Sequence, residues 1–381
     1  MFNPLEVPPF FDVLVLPPSD CQESLSRAQR VTNGKLLLVK DELIAEGKDD
    51  FDEPVKIMSS SIAEYPKGER PNLDDAFFEP LQLNFKREMA LKNVGPADDV
   101  FNQAIDIHTD GRMICKTYSY GRDSVIRFEG FHIDHPKKNL PIPFPEDLNP
   151  ICFLQNGDVL VFQDFRQQVI RFNENSGQWC NVSPEGQEVV FGNIEDRYGY
   201  KFLCPTTEEA NVFLVSANNP KHTEISNYSN ITGLSESGVL IGLDKQKNPS
   251  YWHENGSTGH LALSDSIGDS FCYPSVISTN QTPHGSVEMI VGTCGKLHQS
   301  AQYQPNLLED VSYTFTPNHV ALWVASSEDF AQGVSPVGVD INELCIDSDE
   351  PIVVATGMTN QLDILATTSS GDSALLVRRI W

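Results

Sequence analysis

From about residue 100 onward the chain repeats one local pattern. A run of four to seven apolar or alternating residues is followed by a polar turn. VIRF (Val125–Phe128) runs into Glu129-Gly130, and DVLVF (Asp158–Phe162) follows Asn156-Gly157. VIRF recurs at Val169–Phe172, followed by VFLV (Val212–Val215), VLIGL (Val239–Leu243), VEMIV (Val287–Val291), VALWV (Val320–Val324), LDIL (Leu362–Leu365) and ALLV (Ala374–Val377). Runs this short, rich in β-branched residues and bounded by Gly, Asn, Asp and Pro, predict strands, and no window predicts a helix of ordinary length. The fold class expected is all-β.

The strands also recur in larger units. HTDGRMICKTYSYGRDSVIRFEG from His108, LQNGDVLVFQDFRQQVIRFNENSGQW from Leu154 and LSESGVLIGLDKQKNPSYWHENGSTG from Leu234 share an order: glycine turn, strand, polar loop, strand, aromatic. Anchoring each unit on its turn residue gives Gly111, Gly157, Asn211, Gly238, Gly285, His319 and Asn360, about 41 residues apart on average. That spacing is the length of one four-stranded propeller blade. A single blade cannot bury both of its faces; blades stacked around an axis can. The expectation is a β-propeller of seven blades, with six or eight also fitting the length, and a β-sandwich as the alternative.

Residues 1–98 differ from residues 99–381, which carry the repeats. Phe11–Leu16 (FDVLVL) and Lys35–Val39 (KLLLV) are strand candidates, and the first could complete the sheet that ends at the C-terminus. Asp41–Asp75 holds eleven acids against four bases and reads as solvated loop, whereas Leu81–Leu91 fits a short helix or a strand equally well. The N-terminal segment would then contribute to ring closure or to one extra blade.

The segment ITGLSESGVLIGLDKQKNPSYWHENGSTGHLAL, from Ile231, resembles the HAF-type β-propeller repeat. Tyr251-Trp252 and Asn255-Gly256 match that repeat's aromatic-Trp pair and its Asn-Gly, while Ser235–Gly238 lacks the usual turn Asn. The resemblance implies a propeller and carries over no catalytic residue.

Charge narrows the partners. The formal charge is -26, and from Leu297 to Val377 there is no Lys or Arg. Nucleic acid is a poor fit, because phosphate binding needs a basic footprint. The acidic segment suits a basic protein or a divalent cation. No window reaches the length of a membrane-spanning helix, so no membrane insertion is expected. The N-terminus has no basic, uninterrupted apolar leader, so a cytoplasmic location is expected, with a secreted chain that has lost its signal as the alternative. None of the eight cysteines forms a CxxC pair. Cys115, Cys152, Cys204 and Cys272 lie in apolar runs, which suits thiols acting as small core residues.

Two clusters offer chemistry. In IDIHTDG, Asp106, His108 and Asp110 are spaced by two; on a strand they would share a face, where they could hold a divalent metal or tune a general base. In GFHIDHP, His132 and Asp134 form a second cluster, about 25 residues on, that could meet the first at one sheet edge. Each is equally a polar strand end running into a turn. Trp179, Trp252 and Trp323 recur at about two units' distance; they are either packing residues between blades or surface anchors for a peptide or sugar. No nucleophile elbow, zinc-protease motif or phosphate loop is present. No cofactor is expected beyond a divalent cation. The function this favours is a non-enzymatic binding or scaffold protein that recognises another macromolecule through a propeller face. The alternative is a hydrolase or lyase acting on a carbohydrate or small molecule at the Asp/His clusters.

Overall fold

The computed structural model describes residues 10–15, 26–31, 35–48, 54–65, 87–91, 100–108, 110–119, 126–142, 144, 148–153, 157–163, 168–173, 175–181, 201–203, 211–215, 220–224, 227–235, 237–268, 270–282, 285–301, 311–346, 348–358 and 362–379. Among these residues the fold is all-β: seven sheets of three to five strands, with one short α-helix, Ser327–Ala331, and one 3-10 turn, Ile341–Glu343. The chain forms two compact units. Among the described residues no helix is long and apolar enough to cross a membrane.

One unit comprises Ser19–Glu69 and Leu83–Ser226 and contains four antiparallel sheets. The first sheet is Ser26–Val31, Lys35–Lys48, Pro54–Tyr65 and Arg87–Ala90. The second is Val100–Ile107, Arg112–Ser119, Ile126–His132 and His135–Asn139. The third is Leu148–Phe153, Val159–Gln163, Gln168–Asn173 and Gln178–Asn181, and the fourth is Lys201–Leu203, Asn211–Val215 and Pro220–Glu224. The acid-rich stretch expected to be loop is largely strand, because Lys35–Lys48 pairs with Pro54–Tyr65 along its full length. Its acids hide the alternation that seats Val39, Ile57 and Ile62 in the interior.

The other unit comprises Met1–Pro18, Arg70–Gln82 and Asn227–Trp381. Its fifth sheet, Tyr228–Leu234, Val239–Asp244, Pro249–His253 and Thr258–His260, coincides with the HAF-like segment. The sixth runs in the order Ala262–Leu263, Val337–Asp340, Val311–Ser326, Gly285–Ala301, Phe271–Thr282. The seventh runs Cys345–Ile346, Phe11–Val15, Ser373–Arg378, Ile364–Thr368, Ile352–Met358. Phe11 to Val15 therefore lie in antiparallel register with Arg378 to Ala374. Arg379 fastens this join: its Nε and Nη2 donate to the two carboxylate oxygens of Asp12 at 3.0 and 2.6 Å, and its backbone N–H donates to Phe10.

Alternation explains why these strands read as continuous apolar runs. In the sixth sheet Met289, Val291, Val320 and Leu322 enter one core with Phe11, Ile352 and Ile364. Ile290, Ala321, Trp323 and Ala325 enter a second core with Val239, Tyr251 and Phe330. A strand buried on both faces has no polar side to show. The second sheet does the same, with Met113 and Cys115 in one cluster and Ile114 in another.

Cys272 departs from the thiol expectation. It faces Cys294 across the strand pair and is bonded to it in a disulfide. The partner was hidden in sequence because register, not spacing, brings the two together. Cys115 retains a buried thiol, and Cys180 and Cys345 also lie outside any disulfide.

Candidate functional site

The two sequence clusters meet at one end of the second sheet, but they are not equivalent. Asp106 follows a bulge at Ala104/Asp106 and is buried. Its Oδ2 accepts the backbone N–H of Phe153, on the first strand of the third sheet, at 2.7 Å. The fifth and sixth sheets are also tied to the next by a side chain, here as donor: Thr232 Oγ1 donates to the Pro274 carbonyl and Ser275 Oγ to the Ala355 carbonyl, each on a strand of the following sheet. Asp106 thus joins sheets, and His108, two residues on, also reaches Phe153, ring to ring at 5.5 Å, while Asp110 lies in the turn beyond the strand end at Ile107.

His108 and Asp110 sit in the turn that follows. His108 Nδ1 lies 2.9 Å from Asp110 Oδ1, and Arg112 Nε donates to Asp110 Oδ2 at 2.7 Å. The Asp110 amide also points at His108 Nδ1, at a long 3.4 Å; the shorter contact decides, and the ring donates to the carboxylate. Burial pushes the Asp110 carboxyl upward, but the bonds from His108 and the Arg112 amide, with both neighbouring charges, outweigh it and hold the group well below the usual carboxylate range.

His132 joins this turn through its ring. Its Nδ1 accepts the Asp134 amide at 3.1 Å, so Nε2 carries the proton and donates to the Asp110 carbonyl, also at 3.1 Å. Both ring nitrogens are therefore occupied by backbone. Asp134 and His135 are exposed beside it. The fifth sheet repeats the arrangement. The Asn255 amide donates to His253 Nδ1, and Glu254 N–H donates to the Gly238 carbonyl as Ile133 N–H does to that of Gly111.

The tryptophans are placed by packing. Trp323 is fully buried; its Nε1 donates to the Ala262 carbonyl, and its indole lies so close to Gly292 and Gly338 that a Cβ on either would collide with it. Trp252 is 5% exposed and meets Tyr228 edge-on. Neither offers a surface to a ligand, because the runs containing them are buried on both faces. Trp179 is half-buried and packs at a tilt against Phe172.

Two polar centres had no sequence signal. Glu288 has no exposed surface, and its carboxyl receives hydroxyls from Ser237 and Ser327 on Oε1 and from Thr279 on Oε2. Burial raises its pKa, with the hydroxyl bonds opposing. The second centre is on the sixth sheet. His319 Nδ1 lies 2.6 Å from Asp340 Oδ2, while Asp340 Oδ1 accepts from the amide and the side chain of Asn342. Cys345 feels this site: burial and the Asp340 charge push its thiol up to about 12, so it is no thiolate. Among the described residues no three His, Cys, Asp or Glu side chains converge as a metal site.

No family model matches the chain, and no curated protein matches it. Among solved structures it is similar to virginiamycin B lyase from Staphylococcus aureus with quinupristin, at 11% identity over 96% of this chain and 99% of that one, TM-score 0.47. It is similar to YCF48 bound to D1 peptide, at 10% identity over 99% and 98%, TM-score 0.47. It is also similar to the RRP9 WD40 repeats, at 9% identity over 97% and 98%, TM-score 0.48. The chain bears a weak, low-identity resemblance to propeller and WD40-like folds. At these scores no likeness bears on its chemistry.

Proposed function

We propose that the seven sheets close into one seven-bladed propeller and that the chain is a binding protein for a basic protein partner. The observation carrying this reading is the acidic stretch without Lys or Arg from Leu297 to Val377, whose Glu328, Glu343, Asp349, Glu350 and Asp372 are exposed. The Ser370 hydroxyl bonds the Glu350 carboxyl and lowers its pKa from the ordinary value. A concentrated field of one sign speeds encounter with a partner of the other and weakens with salt. The reading as a hydrolase or lyase has less support, since Asp106 is used between sheets and His132 has both nitrogens on backbone.

The test is affinity capture with the immobilised chain beside a variant carrying E328Q, E343Q, D349N, E350Q and D372N. The wild type is expected to retain basic proteins that salt releases and the variant does not hold. Identical retention by both proteins would overturn the reading.

A further inference from the structure

The His319 centre differs from the other imidazoles in what it leaves over. Asp340, 2.6 Å away, accepts the Nδ1 proton, so the lone pair stands on Nε2. That nitrogen has no hydrogen-bond partner among the described residues, and the side chain is 30% exposed, enough to be reached from solvent. Its chain neighbour adds a second unused electron pair: Asn318 Oδ1 is buried with no hydrogen-bond partner. Such an orphan is rare and calls for an explanation such as an ion.

The backbone explains how neighbours on a strand can serve one site. Cys294 pairs with His319 and Gly295 with Pro317, so Asn318 is the extra residue of a bulge. A bulge breaks the strict alternation of faces and re-aims side chains. Gly295 is needed opposite, because a Cβ there would collide with the Thr316 carbonyl oxygen.

We propose that Asn318 and His319 form a site for a divalent transition ion of the zinc, nickel and copper class, with His319 Nε2 and Asn318 Oδ1 as the protein ligands. Asp340 orients the imidazole, as carboxylates do behind metal-bound histidines, and Asn342 in turn fixes Asp340. Imidazole selects these ions over calcium or magnesium, and an amide carbonyl is a compatible second donor. Two protein ligands leave the other positions to water, so the site is open to a substrate or to a partner's side chain. The site is distinct from the acidic surface proposed for partner binding and stands or falls separately from it.

The experiment titrates Ni2+ into the full chain carrying 13C-labelled histidine and follows the nine imidazole signals, with His319 assigned from H319Q. Paramagnetic broadening is expected at His319 before the more exposed His260. D340N and N318A should each need more Ni2+ to reach the same broadening, D340N by about 10- to 100-fold. H319Q should lose the tightest step. If the His319 signal persists while other histidines broaden, or if D340N titrates like the wild type, the site is wrong. Should D340N fail to fold, the wild-type and H319Q titrations alone decide.

Discussion

His132 and His319 both lie near an aspartate, yet the two regions leave them in opposite states. At His132 the backbone takes both ring nitrogens, and the ring works as a brace between two turns. At His319 a carboxylate takes one nitrogen and leaves the other open. The difference lies in the backbone, not in residue type. A tight turn folds its own backbone onto the His132 ring, whereas the His319 ring, within a long strand, meets the Asp340 side chain of the adjoining strand. Polar groups in this molecule therefore sort into sealed ones, which hold elements together, and open ones, which have bonding capacity to spare.

Breaking a sealed group should cost stability. The largest effect is expected at the clasp between the chain's two ends. Arg379→Ala leaves Asp12 without its bidentate partner in a site where Arg379 is 6% exposed, a loss of about 3–5 kcal/mol in urea unfolding. An unchanged midpoint would show that the clasp is not formed. Asp106→Ala strands the Phe153 amide between sheets and should cost about 1–3 kcal/mol, whereas removing the exposed Asp134 should cost little.

Glu288 adds a pH signature. Its proton is held more tightly in the folded chain than in the unfolded one, so the folded state binds more protons as pH climbs above the ordinary carboxylate range. Stability from this group is full at low pH and is lost as pH rises through the raised folded value. Glu288→Gln, which cannot ionise, should flatten that decline, seen as unfolding midpoints that converge with the wild type in acid and exceed it in mild alkali. Parallel curves would mean that Glu288 is not the source. The smallest stability effect is expected on the open side: His319→Ala should shift the midpoint less than His132→Ala does, and the reverse order would erase the distinction.

Strand positions were legible because apolar runs such as VALWV and DVLVF are what two-sided burial requires. Four of the repeat anchors, Gly111, Gly157, Gly238 and Gly285, have the positive φ that a tight turn requires. His319 was a false anchor. The polar residues before it resemble a turn, yet they continue a strand from Val311 to Ser326, because the paired strand extends with them to Ala301. The anchor at Asn360 lies outside the described residues. Site chemistry was less legible. Glu288 meets Ser237 across 51 residues, and His319 meets Asp340 across 21, through registers that no local spacing encodes. Asp106 was visible as a carboxylate, but its use depends on a backbone amide 47 residues away.

The pairing of Phe11–Val15 with Ser373–Arg378 also sets an order of events. During synthesis the early strand emerges long before its neighbour exists, and it must wait, uncommitted, while the intervening sheets form. The seventh sheet is complete only after Arg378 has left the ribosome, so a nascent chain stalled short of that point carries a sheet with an open edge, exposed to proteases and to the matching strand of another copy.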